Sequence, residues 1–100
     1  MGNMNTTETI IAQLKQFKQQ HAQSYHLKSL GLFGSHARHQ ATSHSDIDIF
    51  FETDAPNLFT TARLQQELAE LLQCHVDLVR LRPVMNPKLK ARIINEAIYV

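Results

Sequence analysis

Two aspartates near the middle of the chain, Asp46 and Asp48, have the spacing that most directly suggests chemistry. They alternate with Ile47 and Ile49, so in a β-strand both carboxylates fall on one face, about 6–7 Å apart at their Cα atoms. Two carboxylates this close raise each other's pKa unless a cation lies between them. Oxygen ligands of this kind suit Mg²⁺ or Mn²⁺, with phosphate oxygens and water completing the coordination. The pair therefore predicts a hard-metal site that handles phosphate.

A second candidate site, Gly34-Ser35, comes ten residues before the aspartate pair and directly after the apolar run Leu30–Phe33. A glycine at this corner allows the backbone to approach a ligand closely, because it has no Cβ. A helical turn that begins at Ser35 would direct free N–H groups and the serine hydroxyl toward one anion. A phosphate site followed by a hard-metal carboxylate pair is what nucleoside triphosphate chemistry requires.

Each pattern alone has a simpler interpretation, a turn or a solvated strand face. Together they match Gly-Ser, ten residues, Asp-x-Asp, which resembles the signature of the DNA polymerase beta-like nucleotidyltransferases. The finer form, Gly34-Ser35-x-Ala37-Arg38 and then Ser45-Asp46-Ile47-Asp48-Ile49, is similar to the minimal nucleotidyltransferase (MNT) branch. The resemblance extends over the rest of the chain and implies one MNT domain, residues 1–100. The chain departs from the branch at His39, where glycine is usual.

The resemblance implies roles for individual residues. Asp46, Asp48 and Asp77, the last in a Val-Asp-Leu-Val context, would be the catalytic carboxylates and would bind two Mg²⁺ ions, or Mn²⁺. Gly34 and Ser35 would bind the β- and γ-phosphates of ATP, and the three carboxylates would promote in-line attack of a hydroxyl on the α-phosphorus.

Arg38 has two interpretations. It contacts phosphate or a bound nucleotide, or it braces the carboxylate cluster through a salt bridge, and we favour the second because a fixed positive charge lowers the pKa of nearby aspartates. A set of histidines and one cysteine has no assigned role, although a zinc site is disfavoured because the spacings match no known zinc motif. These residues are His36, His39, His44, Cys74 and His75.

Composition limits the class of protein. One hundred residues with 43% hydrophobic residues predict one globular domain. A formal net charge of +1 gives no reason to expect direct binding to nucleic acid or a membrane. The single cysteine and the polar start of the chain, Met1 to Thr9, favour the cytoplasm.

Hydrophobic periodicity and capping residues predict the elements in order. We expect a helix capped by Asn5 or Thr6, a strand Leu27–Phe33, a helical turn 35–39, a strand over 46–51, a helix from Asn57 to about Gln73, a strand His75–Leu81, a helix capped by Asn86 with Pro87 at its first position, and a short edge strand from Ile98. This order predicts an α+β domain with a small mixed sheet, its helices on one face and the active site on the other. Lys88, Lys90 and Arg92 are expected to face solvent.

The acceptor of the nucleotide is not evident from any spacing. The resemblance implies the antitoxin of a two-gene module whose other product is a HEPN-domain toxin, and therefore AMP transfer to a partner's tyrosine. Two alternatives stay open: a small-molecule nucleotidyltransferase similar to the aminoglycoside-modifying enzymes, and a non-catalytic module that neutralises its partner by binding alone.

Overall fold

The computed structural model describes residues 6–42 and 45–100. The predictions that concern Asn5 and His44 therefore lie outside the described residues. The helices and strands follow the predicted order, but the helical turn predicted over 35–39 is not among them: α1 (Thr7–Tyr25), β1 (Leu27–Phe33), β2 (Ile47–Thr53), α2 (Leu58–Leu72), β3 (Val76–Arg80), α3 (Pro87–Glu96) and β4 (Ile98–Tyr99).

The helices begin at residues whose side chains accept hydrogen bonds from first-turn N–H groups. Thr6, Asn57 and Asn86 are the three N-caps, and Pro87 occupies the first turn of α3. Each cap satisfies donors that a helix start would otherwise leave unpaired. These local signals were readable in the sequence, and their predictions are confirmed.

The four strands form one mixed sheet in the order β3-β2-β1-β4. Strand β1 is antiparallel to both β2 and β4, whereas β2 and β3 are parallel. The predicted α+β class with a small mixed sheet is therefore confirmed. The register pairs Asp48 with Phe33 on one side and with Asp77 on the other, and this pairing positions the candidate site.

Helices cover the two faces of the sheet unequally. On one face, α1 and α2 pack against alternate strand residues, and the buried strand and helix residues there are Ile10, Leu14, Phe17, Tyr25, Leu30, Leu32, Ile47, Ile49, Phe51, Leu64, Leu68, Leu72 and Val76. On the opposite face, Ile93 of α3 packs with Phe33 and Phe50. The expectation that the helices pack on one face therefore holds for α1 and α2, while α3 covers part of the face that bears the aspartates. Phe50 explains this, because strand alternation places it on the same side as Asp48.

None of the helices in the described part of the chain is long and apolar enough to cross a membrane.

Candidate active site

Asp48 and Asp77 lie side by side on adjacent parallel strands. They are Cα partners in the β2–β3 register. Neighbouring strands lie about 4.8 Å apart, and residues that are directly paired have their side chains on the same face of the sheet. The Asp48 side chain is only 19% exposed. Burial raises the pKa of Asp48, the charge of Asp77 raises it further and Asp46 adds to this, while Arg92 and His36 lower it. Asp48 is therefore a partly buried carboxylate that lies close to two further negative charges, those of Asp77 and Asp46.

Asp46 lies just before β2 and is more exposed than Asp48. Its Oδ2 is 3.4 Å from Nδ1 of His75, and both side chains are largely open to solvent. An exposed pair of this kind contributes little to stability. Asp46 is nevertheless close enough to raise the pKa of Asp48, so the structure brings all three predicted carboxylates to one end of the sheet.

The donor set fits a hard divalent cation, since three carboxylates supply oxygen ligands and their mutual repulsion would be relieved by positive charge. Within residues 6–42 and 45–100, however, no three His, Cys, Asp or Glu side chains are gathered closely enough to hold a metal ion as they stand. The metal-binding roles of Asp46, Asp48 and Asp77 remain predictions. In the described part of the chain, His36, His39, Cys74 and His75 belong to no such group either.

Gly34 contacts the carboxylate of Asp48 at the place where other residues carry a side chain. A Cβ built on Gly34 would lie 2.1 Å from Oδ2 of Asp48, and the residue has a φ of +79°. The Gly34 N–H donates to Oε1 of Glu96 at 3.0 Å. Glycine is therefore required here so that Asp48 fits, and its N–H is already occupied. Asp48, and not a ligand, takes the space that the missing Cβ leaves, and the predicted contact of Gly34 with phosphate remains a prediction.

The segment after Gly34 is a hydrogen-bonded turn rather than a helical one. Its first bond, from the Arg38 N–H to the Gly34 carbonyl, spans four residues, but the Gln40 N–H donates five residues back to Ser35. His39 adopts a left-handed φ of 57°, which explains why glycine suits this position. Without a helix, the dipole argument for anion binding does not apply. The Ser35 hydroxyl still has no partner among the described residues, so it is free to donate to a ligand.

Arg38 pairs with Glu96 and not with the aspartates. Its Nη1 donates to Oε2 of Glu96, and its Nε donates to Oε1 of Gln40 at 3.3 Å. No ion pair joins Arg38 to any described aspartate, so the favoured interpretation of Arg38 as a brace on the carboxylate cluster is wrong. Its contact with phosphate or nucleotide remains a prediction.

Arg92 takes the place that was predicted for Arg38. One guanidinium nitrogen lies 4.0 Å from Oδ2 of Asp48, and the guanidinium carbon lies 5.6 Å from the centroid of the Phe33 ring. Its side chain is 47% exposed, as expected for a residue on the outer face of α3, but it also lies against Asp48 and Phe33. Its position three residues after Leu89 places it beside the buried stripe of α3, a signal that could have indicated this contact.

Glu96 is the site residue that the sequence did not indicate. Its side chain is 17% exposed and accepts from Gly34 and Arg38, while Nε of Arg92 lies 3.5 Å from its Oε1. Burial would raise the pKa of Glu96, but the hydrogen bonds from Arg38 and Gly34 and the charges of Arg38 and Arg92 hold it below its ordinary value. The i,i+4 spacing of Arg92 and Glu96 was visible, but the contact with Gly34 had no local signal.

His36 belongs to the turn and is buried. It is 6% exposed, its carbonyl accepts from the Thr7 hydroxyl, and its Nε2 has no hydrogen-bond partner among the described residues. This burial separates it from His39, which is exposed in the same turn. The histidines in the described residues therefore have different environments and do not form one site.

The sequence comparisons agree with one another. Residues 12–100 match the family model described as polymerase beta, nucleotidyltransferase. A candidate protein adenylyltransferase of Methanocaldococcus jannaschii is 35% identical over 98 residues, 97% of this chain and 100% of the relative. The protein adenylyltransferase MntA of Thermococcus cleftensis is 30% identical over 98 residues, 97% of this chain and 98% of the relative.

Solved structures share the fold. A candidate minimal nucleotidyltransferase is 30% identical with a TM-score of 0.79, over 97% of this chain and 98% of the other. A toxin–antitoxin crystal structure with AMP-PNP is 25% identical with a TM-score of 0.73, over 88% of this chain and 69% of the other. The structure of a tri-AMPylated HEPN toxin of Shewanella oneidensis in complex with an MNT antitoxin matches with 25% identity and a TM-score of 0.63, over 89% of this chain and 68% of the other.

Proposed function

This chain belongs to the polymerase beta nucleotidyltransferase family, and we propose that it transfers AMP from ATP to a hydroxyl group of a HEPN-type toxin, acting as the antitoxin of the pair. The proposal includes one MNT domain over residues 1–100 and a cytoplasmic location. The observation that carries it is the pairing of Asp48 with Asp77 beside the Gly34-Ser35 corner. Relatives named as protein adenylyltransferases match this chain over nearly its whole length.

The three aspartates form the reaction centre in this proposal. Asp46, Asp48 and Asp77 would hold Mg²⁺ or Mn²⁺, because their oxygen donors fit a hard cation. Such cations, when bound, lower the pKa of an attacking hydroxyl and offset the charge on the departing pyrophosphate. Asp77, which is exposed at the edge strand, would face the acceptor, whereas the less exposed Asp48 would face the triphosphate.

The turn supplies the groups for the triphosphate. The Ser35 hydroxyl is free among the described residues, and Arg38 is 41% exposed with Nη2 unpartnered in that part of the chain. Both groups donate hydrogen bonds, which phosphate oxygens accept. Gly34 contributes by admitting the Asp48 carboxylate and not by its own N–H, which Glu96 occupies.

The partner would complete the site. Among the described elements, α3 covers part of the face that bears the carboxylates, and this part of the chain offers little else to orient an acceptor. Orientation of two reactants is worth several kcal/mol, and a docked partner would supply it. Support for a HEPN-type partner comes from the similarity to toxin–antitoxin complexes, one with AMP-PNP and one with a tri-AMPylated toxin.

Tyrosine is the acceptor that we propose on that partner. Its hydroxyl has an ordinary pKa of about 10, and a nearby divalent cation brings ionisation closer to neutral pH. Serine and threonine hydroxyls are far weaker acids, so they gain less from the same charge.

Intact-protein mass spectrometry of the co-expressed pair tests the function. We expect the partner to gain about 329 Da for each AMP transferred, as the stoichiometry of nucleotidyl transfer requires, and fragmentation should locate the AMP on tyrosine. The double variant Asp46→Asn/Asp48→Asn is the negative control. A partner that is silenced without a mass change, and equally well by the double variant, would favour neutralisation by binding alone. AMP found only on a small molecule would favour the small-molecule enzyme.

A further inference from the structure

Glu96 connects α3 to the turn that follows β1. Its carboxylate accepts from the Gly34 N–H at 3.0 Å and from Nη1 of Arg38, while Nε of Arg92 approaches to 3.5 Å. These donors come from the end of β1, from the turn and from α3 itself. A single carboxylate thus fixes three segments that meet beside the aspartates.

The contacts of Arg38 define what Glu96 controls. Glu96 holds Nη1 of Arg38 and Gln40 holds Nε, which leaves Nη2 without a partner in the described residues. The guanidinium is planar, so two fixed nitrogens also fix the direction of the third. An arginine that is held in this way loses less conformational freedom when it binds an anion.

We propose that Glu96 is a positioning residue, which fixes Arg38 and the Gly34 corner so that Arg38 meets the triphosphate with its geometry already set. Glu96 itself does not touch the nucleotide, and it acts through Arg38. The low pKa of Glu96 agrees with this role, because the carboxylate stays charged and keeps both arginines oriented. This inference rests on the proposed function, since it assumes that a nucleoside triphosphate binds beside the turn.

Calorimetric titration of the full chain with Mg·AMP-PNP tests the proposal. We expect Glu96→Gln to weaken binding by roughly two- to tenfold, the cost of ordering one long side chain at an interface. In an Arg38→Gln background, the further loss from Glu96→Gln should be under about twofold, because the residue through which Glu96 acts is already gone. Glu70→Gln removes the same charge from an exposed position on α2 and should leave the affinity unchanged.

A second measurement separates positioning from general support of the fold. In ¹⁵N relaxation of the arginine Nε–H groups, Glu96→Gln should increase the mobility of Arg38 while the Arg63 signal stays unchanged. Glu96→Asp keeps the charge but shortens the side chain, so we expect a smaller loss of Mg·AMP-PNP affinity and a smaller increase in Arg38 mobility. This variant provides the test of positioning if Glu96→Gln does not fold.

Three results would overturn the inference: unchanged affinity in Glu96→Gln, losses from Glu96→Gln and Arg38→Gln that simply add, or tighter binding in Glu96→Gln. The last would show that Glu96 competes with phosphate for the same donors. If the native chain itself fails to bind Mg·AMP-PNP, the proposed function fails instead, so the two failures are distinguishable.

Discussion

Two carboxylates contact Gly34 from different directions, and their surroundings are opposite. Oδ2 of Asp48 lies where a Cβ of Gly34 would be, in a partly buried position beside Asp77, and its pKa is raised. Oε1 of Glu96 accepts the Gly34 N–H, and two arginines approach the same carboxylate, whose pKa is lowered. Both side chains are less than one-fifth exposed, so burial alone does not distinguish them.

The difference lies in whether the protein's own donors satisfy the charge. The Glu96 carboxylate is approached by the Gly34 N–H, by Arg38 and by Arg92. A buried carboxylate whose charge is satisfied in this way is typical of a structural role. Among the described residues, Arg92 at 4.0 Å and the smaller effect of His36 oppose the charges of Asp77 and Asp46 on Asp48, and neither donates a hydrogen bond to it. A buried charge that the fold leaves uncompensated is a marker of a functional site. We therefore expect loss of Asp48 to affect chemistry and loss of Glu96 to affect geometry and stability.

The largest expected effect separates the two residues by activity. Asp48→Asn should lower the rate of AMP transfer to the partner by at least about a hundredfold, since it removes a proposed metal ligand. Glu96→Gln should lower the rate at subsaturating ATP only by the roughly two- to tenfold change in affinity. The assay is initial-rate transfer with both proteins present, and Asp54→Asn, an exposed aspartate on the turn before α2, is the matched control. An active Asp48→Asn protein would contradict the comparison.

The second effect concerns the glycine between the carboxylates. Gly34→Ala should destabilise the chain by about 1–3 kcal/mol, because it forces a side chain into a left-handed φ and against Oδ2 of Asp48. Urea denaturation gives the free energy of unfolding. The cost should be smaller in an Asp48→Ala background, where only the backbone strain remains. Equal costs in the two backgrounds would mean that the carboxylate does not exclude a side chain at this position.

A third prediction uses the opposite pKa shifts. Glu96 has a folded-state pKa below its unfolded value, so it stabilises the fold at neutral pH and this contribution is lost as the pH falls through the folded value. Asp48 has a raised folded-state pKa, so stability is lost as the pH rises from its ordinary value through the raised one. In EDTA near neutral pH, Glu96→Gln should therefore be less stable than the native chain by about 1 kcal/mol, and Asp48→Asn equally or more stable.

Urea unfolding from about pH 3 to pH 7 checks both signs. The stability differences between each variant and the native chain should shrink as the pH falls, because protonation of each carboxylate in both the folded and the unfolded state removes its contribution. Destabilisation of the same sign and size in both variants would show that Asp48 is as well satisfied as Glu96, and the contrast between them would be lost.

The smallest effect is on thermal stability. Millimolar Mg²⁺ or Mn²⁺ should raise the melting temperature of the native chain by a few degrees, because a ligand that binds only the folded state stabilises it. The Glu96→Gln protein should respond in the same way and Asp48→Asn should not. An equal response from Asp48→Asn would place the cation elsewhere.

The sequence predicted those parts of the molecule whose signals are local. Alternation in β2 placed Asp48 opposite the apolar face of Ile47 and Ile49, and the caps marked where the helices begin. These features depend on periods of two or 3.6 residues and on side-chain bonds within one turn. The family resemblance supplied Asp77, since an isolated aspartate in a strand has no chemical signal of its own.

The contacts of α3 could not be predicted in the same way. Glu96 reaches Gly34 only because α3 crosses the aspartate-bearing face, and this packing depends on Phe33 and Phe50 fitting against Ile93. Charge alone suggested the nearer Arg38 as the partner of the aspartates, yet the turn directs it to Glu96 and leaves Arg92 beside Asp48. Tertiary packing decides such long-range pairings, and hydrophobic periodicity in the sequence gives no information about it.

The most direct test of the central claim is isotopic. The native chain and its HEPN-type partner are incubated with Mg²⁺ and ATP labelled with ³²P at either the α- or the γ-phosphorus. The account predicts that α-label enters the partner and that γ-label leaves as pyrophosphate, with no α-label incorporated by Asp48→Asn. Incorporation of γ-label, or of α-label at the native rate by Asp48→Asn, would contradict it.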